Sequence, residues 1–141
     1  MLNNILTGRG ILGLGLLALM AVFFVKHYID RAMNYQQVEG KVSSTLVDCY
    51  VERGKESLSD PNTHQMAYMP CDTAPKAAAS AGFGADDVKR HIKVQISYVS
   101  PVDGASHSAE YNQYNTNAVY NVGDNFAVYA SLKDPNKYST W

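Results

Sequence analysis

The longest apolar stretch of the chain is Ile11–Val25, which runs without interruption between Arg9 and Lys26. A helix needs about 20 residues to cross the roughly 30 Å hydrocarbon core of a bilayer. The side chains of Arg9 and Lys26 are long enough to reach the headgroups on either side. The pattern therefore predicts one transmembrane helix, which with a short extension occupies residues 1–34.

Two other structures fit a run of this length. A cleaved signal peptide would end in a small-residue cleavage site, whereas Lys26–Arg31 offers none. A buried helix of a soluble domain would usually keep a polar face, and this run is apolar all round. We therefore favour an uncleaved anchor that lies in the lipid bilayer.

Small residues recur along the predicted helix at helical spacings. Small side chains let two membrane helices approach closely, so the pattern favours packing against an integral membrane protein complex. Glycine is also simply common in membrane helices, which is the alternative explanation. The predicted helix-packing residues are Gly8, Gly10, Gly13, Gly15, Ala18 and Ala21.

Apolar and polar residues alternate beyond the helix, which is typical of half-buried strands. The alternation is clearest in His91–Val99. A turn sequence with Pro101 and Gly104 then leads into Ser106–Tyr114 as the second arm of a hairpin. We predict a mainly β domain over residues 35–141, an antiparallel sheet or small open barrel. Further strands are predicted at Lys41–Glu52 and Phe126–Leu132.

The entry into the first strand is also predicted. We expect Asp30–Gln37 to be a helical extension or a short linker, and Gly40 to mark a break before the strand. Alternation then divides the strand into two faces. Val47, Cys49 and Val51 lie on one face, and Asp48, Tyr50 and Glu52 lie on the other.

The connection after the first strand, Glu52–Arg90, is long and irregular in sequence. Asp72–Ala81 is predicted as a brief helix, with Pro75 in its first turn and Gly82 at its end. Met66–Met69 is a short apolar piece that could add a strand. We therefore expect one long decorated connection on an otherwise simple sheet.

Cys49 and Cys71 are the only two cysteines. A pair that closes a loop suggests a disulfide, which persists in oxidising compartments. Two unrelated thiols in a cytosolic domain are the alternative. Lysines and arginines on the two sides of the apolar run are nearly balanced, so the cysteines decide the orientation. We predict a bacterial inner-membrane protein with a cytoplasmic N-terminus and a periplasmic domain.

Charge and length limit the classes of function. From Tyr35 onward the acidic residues outnumber the basic ones, which argues against nucleic-acid binding because that requires clustered Lys and Arg. The part after the anchor has the size of one domain. No repeat of solenoid length is present.

The order of landmarks resembles domain-of-unknown-function family 3592, a group of small bacterial membrane-tethered β modules. The resemblance covers about Val38–Asn136 and lies in three places: Val38–Val42 soon after the membrane helix, the Ile92–Tyr98 strand, and the closing Tyr120–Asp124 and Lys133–Asn136 turns. The connection between the cysteines departs from the pattern, as an insertion would, and we expect no second membrane helix. The family has no assigned reaction, so the resemblance implies no catalytic residue.

Few residues suggest chemistry. His91 and His107 could approach each other across the predicted hairpin and bind a metal ion, but a third ligand is missing, and surface histidines explain them as well. No catalytic motif stands out, so we expect neither an enzyme nor a cofactor. Tyrosine is favoured in interfaces and on sheet faces alike. The interface candidates are Tyr111, Tyr114, Tyr120 and Tyr129.

Taken together, these patterns predict a single-pass accessory or structural subunit whose β domain contacts a larger membrane protein assembly. The small residues of the helix and the tyrosine-rich sheet are the reasons. The alternative is a membrane-tethered periplasmic module that binds a small molecule or a metal.

Overall fold

A single strand of 19 residues, β1, organises the fold. The computed structural model describes residues 8–62 and 64–140, with side chains from Leu19 onward except that of His27. A 3-10 turn at Ala85–Asp87 precedes β3. The elements are α1 (Gly8–Asn34), β1 (Tyr35–Arg53), β2 (Glu56–Ser57), α2 (Ala74–Ser80), β3 (Val88–Val99), β4 (Ser106–Tyr114), β5 (Asn125–Ser131) and β6 (Tyr138–Ser139).

The strands form one antiparallel sheet, curved into a half-barrel, in the order β4-β3-β1-β5-β6. β1 pairs with β5 along its first part and with β3 along most of its length. The predicted hairpin is confirmed: β3 and β4 pair from Val99–Ser106 to His91–Tyr114. Gly104 in the turn has a φ of +69°, a conformation that glycine adopts without strain.

One face of the sheet, here called the inner face, carries the hydrophobic core. Its buried residues alternate along β3 from Ile92 onward, as predicted. Partly buried residues from the chain after β4 and from β6, such as Ala118, Tyr120 and Tyr138, close over it. The core consists of Val42, Ile92, Val94, Ile96, Tyr98, Ala109, Val128 and Ala130.

The start of β1 differs from the prediction. The helical extension predicted for Asp30–Gln37 is correct only as far as Asn34, where α1 ends, because β1 begins at the next residue. Gly40 is not a break either, since it lies within β1 and pairs with both Tyr98 and Phe126. Pairing with β5 keeps this polar segment extended, and local sequence could not show that partner.

Gly40 leaves room for the core beneath it. A methyl group added there would lie 2.6 Å from Ile96 Cγ2 and 3.2 Å from the Ser97 carbonyl oxygen. Gly40→Ala is therefore expected to destabilise the domain by about 1–3 kcal/mol, measured by urea unfolding. Gly84→Ala is the control, because its methyl would meet only Asp87 at 3.6 Å. Equal unfolding midpoints for the two variants would contradict this packing.

The junction of α1 and β1 contains no linker. The Leu132 backbone N–H donates a 2.8 Å hydrogen bond to the carbonyl oxygen of Asn34, and the next residue, Tyr35, pairs with Ser131. The chain therefore passes from helix to sheet at a point held by β5.

The described part of α1 exposes its large apolar side chains on all sides. Nine of them, between Leu19 and Met33, are each between 48% and 76% exposed. Ala21 is exposed as well. Considering only residues that the structure describes, no helix combines the length and the apolarity needed to span a bilayer. The other predicted packing residues lie outside the part of the helix whose side chains the structure describes. They are Gly8, Gly10, Gly13, Gly15 and Ala18.

The long connection between β1 and β3 is closed by the predicted Cys49–Cys71 disulfide. The predicted helix is also confirmed as α2, whose Ala74 and Ala78 are buried. Met66–Met69 forms no strand and makes only isolated bridges, from Met66 to Ser59 and from Met69 to Cys49.

The two faces predicted for the end of β1 are correct in register, but burial does not follow them. Cys49 and Val51 are buried on one face and Tyr50 on the other, whereas Val47 is exposed. The connection covers the second face of the sheet here, and the Tyr68 ring centroid lies 6.0 Å from that of Tyr50. A strand covered on both faces loses its alternating pattern of burial.

Candidate functional site

The face of the sheet opposite the core, here called the outer face, carries a connected row of polar side chains on β3 and β4. Glu110 is its centre. Its carboxylate accepts hydrogen bonds from Gln95 at 3.0 Å and Asn112 at 2.8 Å, and it pairs with Lys93 at 3.0 Å. Ser108 donates to Gln95 at 3.1 Å. The Asn112 hydrogen bond and the Lys93 ammonium hold the pKa of Glu110 below its ordinary value.

The row ends in a cavity of about 340 Å³ at the end of the sheet remote from α1. We call it the outer-face cavity. β1, β3 and β4 supply most of its walls, and Tyr68 from the disulfide-closed connection completes it. Its lining residues are Leu46, Asp48, Tyr68, His91, Lys93, Glu110, Asn112 and Tyr114.

Aromatic rings surround His91 on this face. The Tyr114 ring stacks on it with centroids 4.6 Å apart and planes 20° apart. The Tyr68 ring lies 5.0 Å away, and Tyr50 contacts both tyrosine rings at 6.0 and 6.2 Å. Burial raises the pKa of the Tyr50 and Tyr68 hydroxyls, which therefore stay neutral around neutral pH.

The connection places Tyr68 over the outer face. Met69 and Cys49 exchange two backbone hydrogen bonds, of 2.8 and 2.9 Å, and Cys49 is bonded to Cys71. Tyr68 is thus held next to a residue that is fixed to β1. An aromatic wall of the cavity depends on this closed loop.

The polar row also determines the tautomer of the neutral His91 ring. Asn112 donates its amide N–H to Glu110, so its oxygen Oδ1 faces His91 Nε2, at 3.1 Å. An amide oxygen only accepts hydrogen bonds, and therefore Nε2 carries the proton. In the neutral ring, Nδ1 is then a hydrogen-bond acceptor.

The candidate two-histidine metal site does not form. His91 pairs with Tyr114 and His107 with Tyr98, seven residues apart along β3, which corresponds to about 23 Å. The hydrogen-bond partner of His107 is Asp103, at 2.9 Å. Within the described part of the chain, no group of three or more His, Cys, Asp or Glu side chains is arranged to hold a metal.

The four predicted interface tyrosines occupy three places. Tyr111 and Tyr120 pack with Phe126 at the margin of the core, with ring centroids 5.1 to 6.1 Å apart. Tyr114 lies in the outer-face cavity, and Tyr129 on β5 pairs with Gln37 and Ser139. They do not form one surface, and their role in an interface stays a prediction.

Comparisons with protein families, with curated proteins and with solved structures find no match to this chain. The resemblance to domain-of-unknown-function family 3592 therefore stays a prediction.

Proposed function

We propose that this protein is a single-pass, membrane-anchored accessory subunit whose β domain contacts a larger membrane protein assembly. The observation that carries the proposal is the exposure of the apolar side chains of α1 on every side. Covering such side chains with lipid or with another protein lowers the free energy, because it removes apolar surface from water. The apolar run Ile11–Val25 supports lipid as the main cover, together with flanking Arg9 and Lys26. Part of that run, 11–18, has side chains outside the described residues.

The disulfide supports a periplasmic position for the domain. Disulfides persist where the surroundings are oxidising, and Cys49–Cys71 joins the long connection to the central strand. A periplasmic domain places the N-terminus in the cytoplasm and α1 in the inner membrane.

A partner in the membrane is supported by the small residues of the helix. Small side chains on a membrane helix permit close packing against a second helix. Gly13 and Gly15 lie in the first third of the apolar run, where such contact would bring two backbones together. The described surface of the β domain adds exposed apolar side chains, among them Val119 and Val122.

The proposal is tested by purifying the tagged protein from native membranes in mild detergent. We expect it to stay in the membrane pellet after alkaline extraction and to co-purify with a membrane protein in stoichiometric amount. Gly13→Ile with Gly15→Ile should leave insertion intact and reduce the partner by about ten-fold or more, because packing is lost. Leu14→Ile with Leu16→Ile is the matched control and should retain the partner.

Two results would contradict the proposal. One is recovery of the protein from the soluble fraction without its first thirty or so residues, as a cleaved leader would give. The other is a lone monomer in mild detergent whose behaviour does not change in the double isoleucine variant.

A further inference from the structure

We propose that the outer-face cavity binds a protonated amine or guanidinium group, where Asp48, His91 and the rings of Tyr68 and Tyr114 come together. This ligand site goes beyond the accessory role above and does not depend on the anchor. Its basis is the set of hydrogen-bonding groups in the cavity that the protein itself leaves unused.

His91 supplies the first unused group. Its side chain lines the cavity and is 7% exposed. Its Nδ1 is buried and has no hydrogen-bond partner among the described residues. Because Nε2 holds the proton of the neutral ring, Nδ1 is an unpaired acceptor, and burying an acceptor without a partner destabilises the protein. A ligand that donates a hydrogen bond here would remove that cost.

Asp48 supplies the second unused hydrogen-bonding group. It faces His91 across the β1–β3 ladder and lines the same cavity. Its carboxylate forms no hydrogen bond or ion pair within residues 8–62 and 64–140. The nearby Lys93 charge does not serve it, because Lys93 pairs with Glu110 at 3.0 Å. The cavity therefore presents an unmatched negative charge.

The aromatic rings supply the third feature. Tyr68 and Tyr114 are 45% and 54% exposed, so part of each ring remains open to a ligand. The face of a tyrosine ring attracts a cation placed within about 6 Å of its centroid. Partly shielded rings beside a carboxylate are a favourable setting for an ammonium or guanidinium group.

Other ligand classes fit less well. An anion would meet both Asp48 and Glu110. The hydroxyls of a neutral sugar can donate to the free acceptors, but the donors that its oxygens would need, Asn112 and Lys93, already donate to Glu110. Charged donor groups match the free acceptors, and charge-assisted hydrogen bonds are about twice as strong as neutral ones.

A free small amine and a basic side chain of a peptide share this chemistry. The test uses the full chain in detergent, with NMR signals of His91 and Tyr114 as the readout. The probes, all acetylated on the α-amine so that only the guanidinium carries charge, are arginine amide, glycyl-arginyl-glycine amide and, as the uncharged isostere, citrulline amide. We expect saturable shifts with both arginine probes. Citrulline amide should bind at least about ten-fold more weakly. Tighter binding of the tripeptide supports a protein source, and equal binding supports a free amine.

Asp48→Asn is the decisive variant, because Asp48 has no partner to lose among the residues that the structure describes. It should weaken arginine amide about ten-fold while the urea unfolding midpoint stays unchanged. Asp86→Asn, which removes an exposed acid in the Ala85–Asp87 turn, is the matched control and should bind normally. The proposal is overturned if no arginine probe saturates, if citrulline amide binds equally, or if Asp48→Asn binds like the control.

Discussion

Replacing Ile96 with alanine is expected to destabilise the β domain by about 2–5 kcal/mol. Ile96 is fully buried in the centre of the core, and its Cγ2 lies against the backbone of Gly40 on the neighbouring strand. Truncating the Ile96 side chain removes apolar contacts and leaves a cavity. β3 cannot move to close it, because it is hydrogen-bonded to β1 on one side and to β4 on the other. The measurement is urea unfolding of the full chain in detergent, followed by far-ultraviolet circular dichroism.

Val99→Ala is the matched control for Ile96→Ala. It removes methyl groups from the same strand, but from a residue that is 58% exposed on the outer face. A change within about 0.5 kcal/mol is expected. If Ile96→Ala unfolds at the same urea concentration as this control, the inner face is not the core of the domain.

Loss of the disulfide is expected to cost about 3 kcal/mol, because it closes a loop whose ends are 22 residues apart. The double variant Cys49→Ala, Cys71→Ala should show this loss in urea unfolding without reductant. It should also change the NMR signals of His91, since Tyr68 would no longer be held over the ring.

Thiol labelling of the native chain should find both cysteines unreactive until they are reduced.

The control for this experiment is reductant itself. Dithiothreitol should lower the unfolding midpoint of the native chain and leave that of the double alanine variant unchanged. Equal stability of the two chains before reduction would show that the bond contributes nothing to the fold.

The parts of the fold that sequence predicted are those with local signals. Alternation in His91–Val99 and the turn at Gly104 predict β3, β4 and their pairing. Both the strand period and the turn chemistry depend only on residues that are close in sequence. The helix at α2 has the same kind of signal in Pro75. The first half of β1 has none, since its polar residues are held extended by β5, which is distant in sequence.

The candidate site was harder to predict for the same reason. The sequence offers His107 as the neighbour of His91, whereas the register brings Asn112 and Tyr114 to it. Counting residues from the predicted turn would have paired His91 with Tyr114. No count could have placed Tyr68, whose position depends on an irregular loop and on the Cys49–Cys71 bond.

The uninterrupted passage from Asn34 into β1 has a mechanical consequence. The fourteen residues of extended chain from Tyr35 to Asp48 amount to about 40 Å of reach, and no residue separates this arm from the helix that carries it. In the proposed membrane setting, a change of about 20° in the lean of the helix would sweep the far tip sideways by roughly 15 Å. In that setting, the tilt of the helix would determine which neighbouring protein the far end of β1 can contact.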